Sequence, residues 1–460
     1  METALAMKGP FVRTLVIVLV AAGLGAYVFL VENKKPADTG EKKKEKVFAL
    51  TKAKVKELSL APKAGEAVTL KKDGDKWRLV APREAPADSN EVDTVLSALE
   101  NLESDEVVTE NAADLKQFGL DAPSNTVSVV QEGAPQPLKL LLGEKTPDSA
   151  GLYAKTADKP RVFTIAAYQE SSLNKKPFEL RDRDLLKVKR DAVKAVEVSG
   201  PGESYALERS DKGEWNFTRP LKTAAGRWSI DGILGTLESL KMDSIATEDV
   251  GKDLKKYGLD KPQRTVKLTL ADGGYKILEI GGAAPGDKKY HAREAQSPLV
   301  AVIPGALVDD LAKGMKELRA KRLADVSSFD VEGIELVSEG KTTTLARTTT
   351  KDKDGLEQQN WKKTAPDKKD AARPKVEDAL FKLTGLEVQE FVDKPQAPAS
   401  YGLDAPAAKV TLKLTGGKPP VVLELGKKEA AYFSRRPGDD AVLKLDSAKV
   451  EEALKALKEL

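Results

Sequence analysis

One six-residue phrase, written three times, constrains this chain more than any other feature. Phe118-Gly119-Leu120-Asp121-Ala122-Pro123 returns as Tyr257-Gly258-Leu259-Asp260-Lys261-Pro262 and again as Tyr401-Gly402-Leu403-Asp404-Ala405-Pro406. A tryptophan precedes the motif glycine by 42, 43 and 41 residues, at Trp77, Trp215 and Trp361. A second glycine, expected to end a strand, follows by 24, 23 and 24, at Gly143, Gly281 and Gly426, and then a tyrosine, at Tyr153, Tyr290 and Tyr432. A period of about 140 residues is too long for a solenoid unit and long enough for a small domain with its own core. The spacing predicts three modules, over residues 47–187, 188–325 and 326–460.

Hydrophobic periodicity fills each module. Val92, Val95, Leu96, Leu99 and Leu102 form one helical stripe, matched by Ile230, Ile233, Leu234, Leu237 and Leu240, and by Val376, Ala379, Leu380, Leu383 and Leu386. Ser89 or Asn90 can cap the first of these helices, and Pro374 sits near the first turn of the third. Elsewhere the period is two. Val68–Leu70 and Trp77–Leu79 flank a polar turn, as do Thr265–Leu270 and Ile277–Ile280; two more short strands follow, Lys289–Arg293 and Leu299–Ile303. A closing helix, from Val308 to Arg319 in the second copy and from Val450 in the third, ends the module. Basic stretches such as Glu179–Arg183 and Arg319–Arg322 read as connectors, and Asp439 lies in what reads as an exposed polar turn. The expected fold class is α+β: an N-terminal transmembrane helix followed by three tandem repeats of a mostly antiparallel sheet-plus-helices module.

The transmembrane expectation comes from Thr14–Val31, which is uncharged. At ~1.5 Å per residue it spans roughly 27 Å, near the thickness of a bilayer's hydrocarbon. A cleaved signal peptide is the rival, with small residues at Gly23, Gly25 and Ala26; but the apolar run continues through Val31, beyond the length of a signal core. Residues 1–31 are thus read as tail and anchor, and residues 32–46, lysine-rich and nearly devoid of apolar side chains, as a solvated spacer. Six lysines between Lys34 and Lys46 favour a cytoplasmic side, against only Lys8 and Arg13 before the run. That rule weakens for large domains, and a short basic N-terminus ahead of an apolar run looks like a signal anchor, so the expectation is a single-pass membrane protein with its bulk outside the cytoplasm. The 75 Lys and Arg nearly cancel 72 Asp and Glu, which argues against nucleic acid as a partner. With no cysteine, disulfides, thiolate nucleophiles and Cys-ligated zinc are excluded.

The motif has a structural explanation before a functional one. A short helix running into glycine calls for the left-handed conformation of a C-cap; the leucine can fold back, the aspartate can bond backbone N–H groups in the turn, and proline prevents the helix from resuming. A ligand site would use Asp121, Asp260 and Asp404. His291 is the only histidine. Beside the landmark tyrosines its counterparts are Ala154 and Phe433, which reads as packing and argues against a Ser-His-Asp triad, for which it is the one possible base. No zinc, P-loop or dinucleotide fingerprint occurs, and no catalytic, cofactor-binding or metal residue is expected. A hydrolase built on two carboxylates would leave no sequence signature and stays as a remote alternative.

The order tryptophan, helix, [Tyr/Phe]-Gly-Leu-Asp-x-Pro, strand glycine and tyrosine resembles the bacterial domain-of-unknown-function family 4340, in three copies after residue 46. The resemblance implies an N-terminal membrane anchor and association with ABC-2-type transporters and gliding-motility auxiliary systems. The expected function is a non-catalytic, membrane-anchored, extracytoplasmic scaffold or accessory subunit, with the membrane and transporter components as partners and no cofactor. The alternative is a ligand- or glycan-binding protein. Aromatic residues are only 5% of the chain, and most fall at repeat-equivalent core positions. Trp228, whose counterparts are Asn90 and Pro374, is the one aromatic expected to be exposed.

Overall fold

The computed structural model describes residues 44–251, 253–351 and 357–460. They build three nine-stranded sheets in which all neighbouring strands are antiparallel. In the first, the order across the sheet is Ala85–Pro86, Lys76–Ala81, Val68–Asp73, Val55–Pro62, Asn125–Gln131, Leu138–Lys145, Gly151–Thr156, Val162–Ala166 and Glu106–Thr109. The second repeats it from Thr223–Ala224 at one edge to Ser244–Thr247 at the other, and the third from Lys369–Ala371 to Val388–Val392. The chain starts in a central strand and runs out through the tryptophan hairpin to one edge. It then crosses a face as a helix, lays down the far-edge strand, and returns through the motif to the centre. A second meander closes on the far edge.

The three crossing helices are Ser89–Glu100, Arg227–Glu238 and Arg373–Thr384. Their buried residues are the stripes read from the sequence, with Thr384 added in the third, except that the last leucine of each, Leu102, Leu240 and Leu386, is buried just past the helix end. Trp77, Trp215 and Trp361 lie in the three large cores these helices cover. The first helix is capped by Asp88, whose carboxylate accepts from Asn90 N and Glu91 N at 3.0 and 3.3 Å, rather than by Ser89 or Asn90. Pro374 stands in the first turn of the third, where its missing N–H costs nothing. The closing helix of the second module is two short pieces, Ala306–Leu311 and Met315–Leu318, separated by an extended Gly314. In the third module it is one twelve-residue helix, Ser447–Lys458.

The expected α+β class headed by a transmembrane helix is corrected by this architecture. The described chain is mostly antiparallel β with few helices, because each module sets against nine strands only one three-turn crossing helix and a closing helix, which is broken into short pieces in the first two modules. No helix among the described residues is long and apolar enough to cross a membrane. The anchor and most of the spacer expected over residues 1–46 lie outside the described residues. The chain divides into two compact units. One, through Asp182, holds the first sheet; the other, Arg183–Leu460, holds the second and third.

Two substitutions in one helix separate propensity from packing. Gly235 has open space where a Cβ would stand, so Gly235→Ala should stabilise by about 0.5–1 kcal/mol through backbone entropy alone. Leu237, 1% exposed, belongs to the core, and Leu237→Ala should cost about 2–5 kcal/mol. Urea unfolding of the full chain should show midpoints moving in opposite directions.

Candidate functional site

The motif glycines cap short 3₁₀ turns. Gly119, Gly258 and Gly402 sit at φ 65, 67 and 66°, and the leucine that follows donates back to Leu115, Leu254 and Pro398 carbonyls at 3.0, 2.9 and 3.0 Å. This is the left-handed cap expected from the sequence. The second glycine does not end its strand: Gly143, Gly281 and Gly426 lie inside Leu138–Lys145, Tyr275–Ala283 and Val421–Lys428. A Cβ on any of them would run into the carbonyl oxygen of the motif aromatic, at Phe118, Tyr257 or Tyr401. The near-constant spacing of the two glycines records this single close approach of motif backbone to strand backbone. Beyond the proline, Ser124 and Gln263 bond the same strands: Ser124 Oγ donates to Gly143 O at 3.0 Å, and Gln263 Nε2 to Gly281 O at 2.6 Å.

Strand parity shows what the motif covers. Leu140, Leu142, Leu152, Ala154, Phe163 and Ile165 point into the first large core, while Leu141, Tyr153 and Val162 point to the other face. Phe118 and Leu120 pack on that second face, closing a small separate cluster; Tyr257, Leu259, Val250 and Val300 do the same in the second module. The motif aromatic meets a ring edge-on in every copy, with centroids 5.1 Å apart: Phe118 on Tyr153, Tyr257 on His291 and Tyr401 on Phe433. That corrects the expected equivalence. The counterpart of His291 is Tyr153, not Ala154, and the counterpart of Tyr290 and Tyr432 is Leu152, because pairing with the glycine strand aligns Ala154 with Ala292. His291 therefore fills an aromatic position, and burial holds its imidazole below its ordinary pKa, opposed by the Gly282 backbone.

Asp121, Asp260 and Asp404 are all exposed at the outer corner of the turn. Asp260 makes no side-chain hydrogen bond among the described residues, so the turn does not use it in the way its sequence position suggests. No group of three His, Asp or Glu among the described residues could hold a metal. A recess of about 320 Å³ between the helices Arg373–Thr384 and Ser447–Lys458 is lined by Lys375, Asp378, Lys382, Glu452, Lys455 and Glu459, a solvated charged groove. Trp228 is 82% exposed, as expected, with the Arg227 guanidinium 5.8 Å from its ring centre.

The most elaborate polar structure lies where the second and third modules join. The connector Leu318–Leu323 is hydrogen-bonded to a sheet edge on each side. Gly226 N donates to Leu318 O at 2.7 Å and Ala320 N to Ala224 O at 3.0 Å; opposite, Leu323 N donates to Leu386 O at 2.8 Å and Val388 N to Lys321 O at 2.7 Å. Arg436, from a hairpin loop of the third module, donates to the carbonyls of Ala320, Arg322 and Leu323. Asp439 is 4% exposed, not the exposed turn residue expected. It accepts from Thr223 Oγ1 at 3.1 Å and Ala224 N at 2.9 Å and pairs with Arg436 at 3.3 Å. Burial pushes the Asp439 carboxyl up, against the pull of Arg436 and those donors, and pushes the Arg436 guanidinium down. Asp440 exchanges hydrogen bonds with Lys222, at 2.9 and 3.0 Å. Arg319, 3% exposed, pairs with Asp393 at 2.6 Å and lies 4.7 Å from the Phe391 ring centre. The one sequence signal for this joint is a departure from the repeat: Arg436, Asp439 and Asp440 stand where the other loops, of equal length, carry Thr156, Lys159 and Pro160, or Glu294, Ser297 and Pro298.

Three overlapping segments, residues 77–229, 215–405 and 361–460, match the family described as Domain of unknown function (DUF4340). The chain belongs to that family, in tandem copies. No curated protein matches it. Among solved structures, the DNA polymerase sliding clamp from Pseudomonas aeruginosa is similar at 8% identity over 87% of this chain and 93% of that one, with a TM-score of 0.15. The DNA polymerase III subunit beta from the same organism gives 8%, 87%, 94% and 0.15. Likeness at that level carries no argument about this chain.

Substitutions at both places test the geometry. Gly281→Ala puts a methyl against a main-chain oxygen that cannot swing away, and should cost about 1–3 kcal/mol although its φ is ordinary. Asp439→Asn leaves Arg436 buried without its countercharge and should cost about 3 kcal/mol. Replacing both Arg436 and Asp439 by apolar residues of similar size should cost less than the two single changes summed. Chemical unfolding followed by tryptophan fluorescence reads all of them.

Proposed function

We propose that this protein is a non-catalytic, membrane-anchored, extracytoplasmic scaffold or accessory subunit. The observation that supports this most is the use made of the repeated motif. Its glycine, aromatic and leucine are engaged in covering the second sheet face, and its aspartates are exposed at the corner of the turn. The joint between the second and third modules adds support, since a doubly bonded connector, the Arg319–Asp393 ion pair and the hydrogen bonds of the buried Asp439 to Thr223 and Ala224 hold those modules in one compact unit. Membrane anchoring rests on the apolar run Thr14–Val31. Partnership with an ABC-2-type transporter or a gliding-motility-like complex rests on the family resemblance.

A second reading, glycan or ligand binding, is favoured by one observation, the exposed Trp228. A single exposed ring, with its one flanking guanidinium, Arg227, drawn toward Asp231, is a weak platform, so the scaffold reading is preferred.

The cysteine-free chain makes location testable. Asp439 is too buried for a labelling site, but Asp211 lies exposed in the turn between two strands. In cells carrying Asp211→Cys, with any outer membrane permeabilised, a thiol reagent unable to cross the inner membrane should label the protein. Labelling only after the inner membrane is opened would place the modules in the cytoplasm and sink the proposal. The partner half is tested by crosslinking in native membranes, which should retain an integral membrane transport component at defined stoichiometry.

A further inference from the structure

Away from the joint, the third module departs from its siblings at its tryptophan hairpin. Beyond the pair that the tryptophan forms, the hairpin of the first module adds only Asp73 with Lys76, and that of the second adds nothing. In the third, Thr348 pairs with Asn360, Thr349 with Gln359, Thr350 with Gln358 and Lys351 with Glu357. At ~3.3 Å per residue this arm runs on for roughly 13 Å. The neighbouring strands stop short of it, their last pairs being Gly333 with Ala346 on one side and Trp361 with Ala371 on the other. Main-chain parity shows what the arm offers. Trp77 and Trp215 turn their carbonyls to the edge strand, accepting from Ala87 N and Ala225 N, and Trp361 stands opposite Ala371 in the same register. Arg347, which faces Trp361, therefore turns its own N–H and C=O the other way, and two residues on so does Thr349.

Two exposed phenylalanines stand beside that edge. Phe329, 81% exposed, is held at the base of the arm by Arg347, whose Nη1 donates to its carbonyl at 2.9 Å. Phe381, 73% exposed, lies on the helix Arg373–Thr384, against which the 3₁₀ turn Ser328–Asp330 packs. The corresponding residues are Ala53 and Ser97 in the first module, where Lys52 Nζ from the turn donates to Ser97 Oγ at 3.2 Å, and Asp191 and Gly235 in the second. In the second module, which has a module after it, Asp191 and the hairpin residues Asp211, Lys212 and Glu214 are all exposed, so this is not the side that a following module covers.

We infer that the arm edge Thr348–Thr350, with Phe329 and Phe381 beside it, docks an extended, uncharged segment of a partner protein that carries apolar side chains at alternate positions. The outward N–H and C=O of Thr349 take the main chain of that segment, and the two rings take its side chains. Charge selects the occupant. The hairpin tips of the other modules carry Asp73, Asp75 and Lys76, or Asp211, Lys212 and Glu214, and charges of that kind guard an edge against strand addition. Thr348, Thr349, Thr350, Gln358, Gln359 and Asn360 carry no charge and no proline, so the guard is missing in the one module whose turn and helix also expose phenylalanine there. Another copy of this chain fits poorly. Two-fold antiparallel pairing about Thr349 places Arg347 of each copy opposite Lys351 of the other, two like charges.

The inference deepens the scaffold reading by giving the partner a chemistry and a place. Its test uses the full chain in detergent and a fluorescent ten-residue peptide of alternating threonine and leucine. Two control peptides accompany it, one methylated at every main-chain nitrogen and one with serine in place of leucine. The parent peptide should bind, and each control should bind at least about tenfold more weakly. Thr349→Pro, which removes the outward donor, should abolish binding. Phe329→Ser with Phe381→Ser should weaken it at least about tenfold. Both rings lie in solvent, so that pair of changes leaves the fold untouched and the result stands even if the proline variant distorts the arm. No binding, equal binding of either control, or binding indifferent to these substitutions overturns the inference. So does self-association of the chain that Thr349→Pro dissolves, which would make a second copy the occupant. Any of these failures leaves the scaffold reading standing, since that reading is judged by the membrane crosslinks.

Discussion

Everything in a module hangs on a place where two backbones touch with no side chain between them. A carbonyl of the motif lies against a strand glycine, and the motif glycine lies against the next residue of the same strand. The approach lets a short turn sit flat on a sheet and shut a second, small core. Without it the aromatic ring could not reach its partner on the neighbouring strand, and the outer half of the sheet would present Leu141, Tyr153 and Val162, or their counterparts, to water. The constraint is steric and main-chain, which is why residue identity is fixed at glycine while the facing ring is free to be tyrosine, histidine or phenylalanine.

The same logic separates the two faces of each sheet. One is covered by a long helix through generic apolar packing, which tolerates Val, Ile, Leu and Ala at its stripe positions. The other is covered by a short turn whose fit depends on the two glycines. Function, if carried at the surface, is left to edges and loops, and there the three modules differ most. The hairpin loop that holds Arg436 and Asp439 in the third carries Thr156 and Lys159 at those positions in the first, so the ion pair has no counterpart there.

Much of this was legible in the sequence. The helix stripes, the hairpins and the left-handed cap all follow from local periodicity and turn chemistry, and the structure places them where the spacing puts them. What local patterns cannot carry is pairing. The order of nine strands depends on contacts between distant residues, and the class was misjudged because helices announce themselves more loudly than short strands. The tyrosine landmark slipped by one residue in the first copy, since Tyr153 and Leu152 differ only in which face of the strand they occupy, and parity is set by a bulge at the glycine. The joint was invisible for a simpler reason: Arg436 reaches carbonyls 113 to 116 residues away, and Asp439 a threonine 216 residues away.

The connector between the second and third modules has one further property. Arg319-Ala320-Lys321-Arg322 contains three sites that a trypsin-like protease would recognise, in a stretch that composition alone would call a linker. Proteases take substrates as extended strands with free main-chain groups, and cut readily at loop tips. Here the backbone is already claimed from both sides, and Arg319 is buried against Phe391. The segment most like a cleavage site by composition is thus among the least cleavable by conformation, and a cut there would report that the joint had opened.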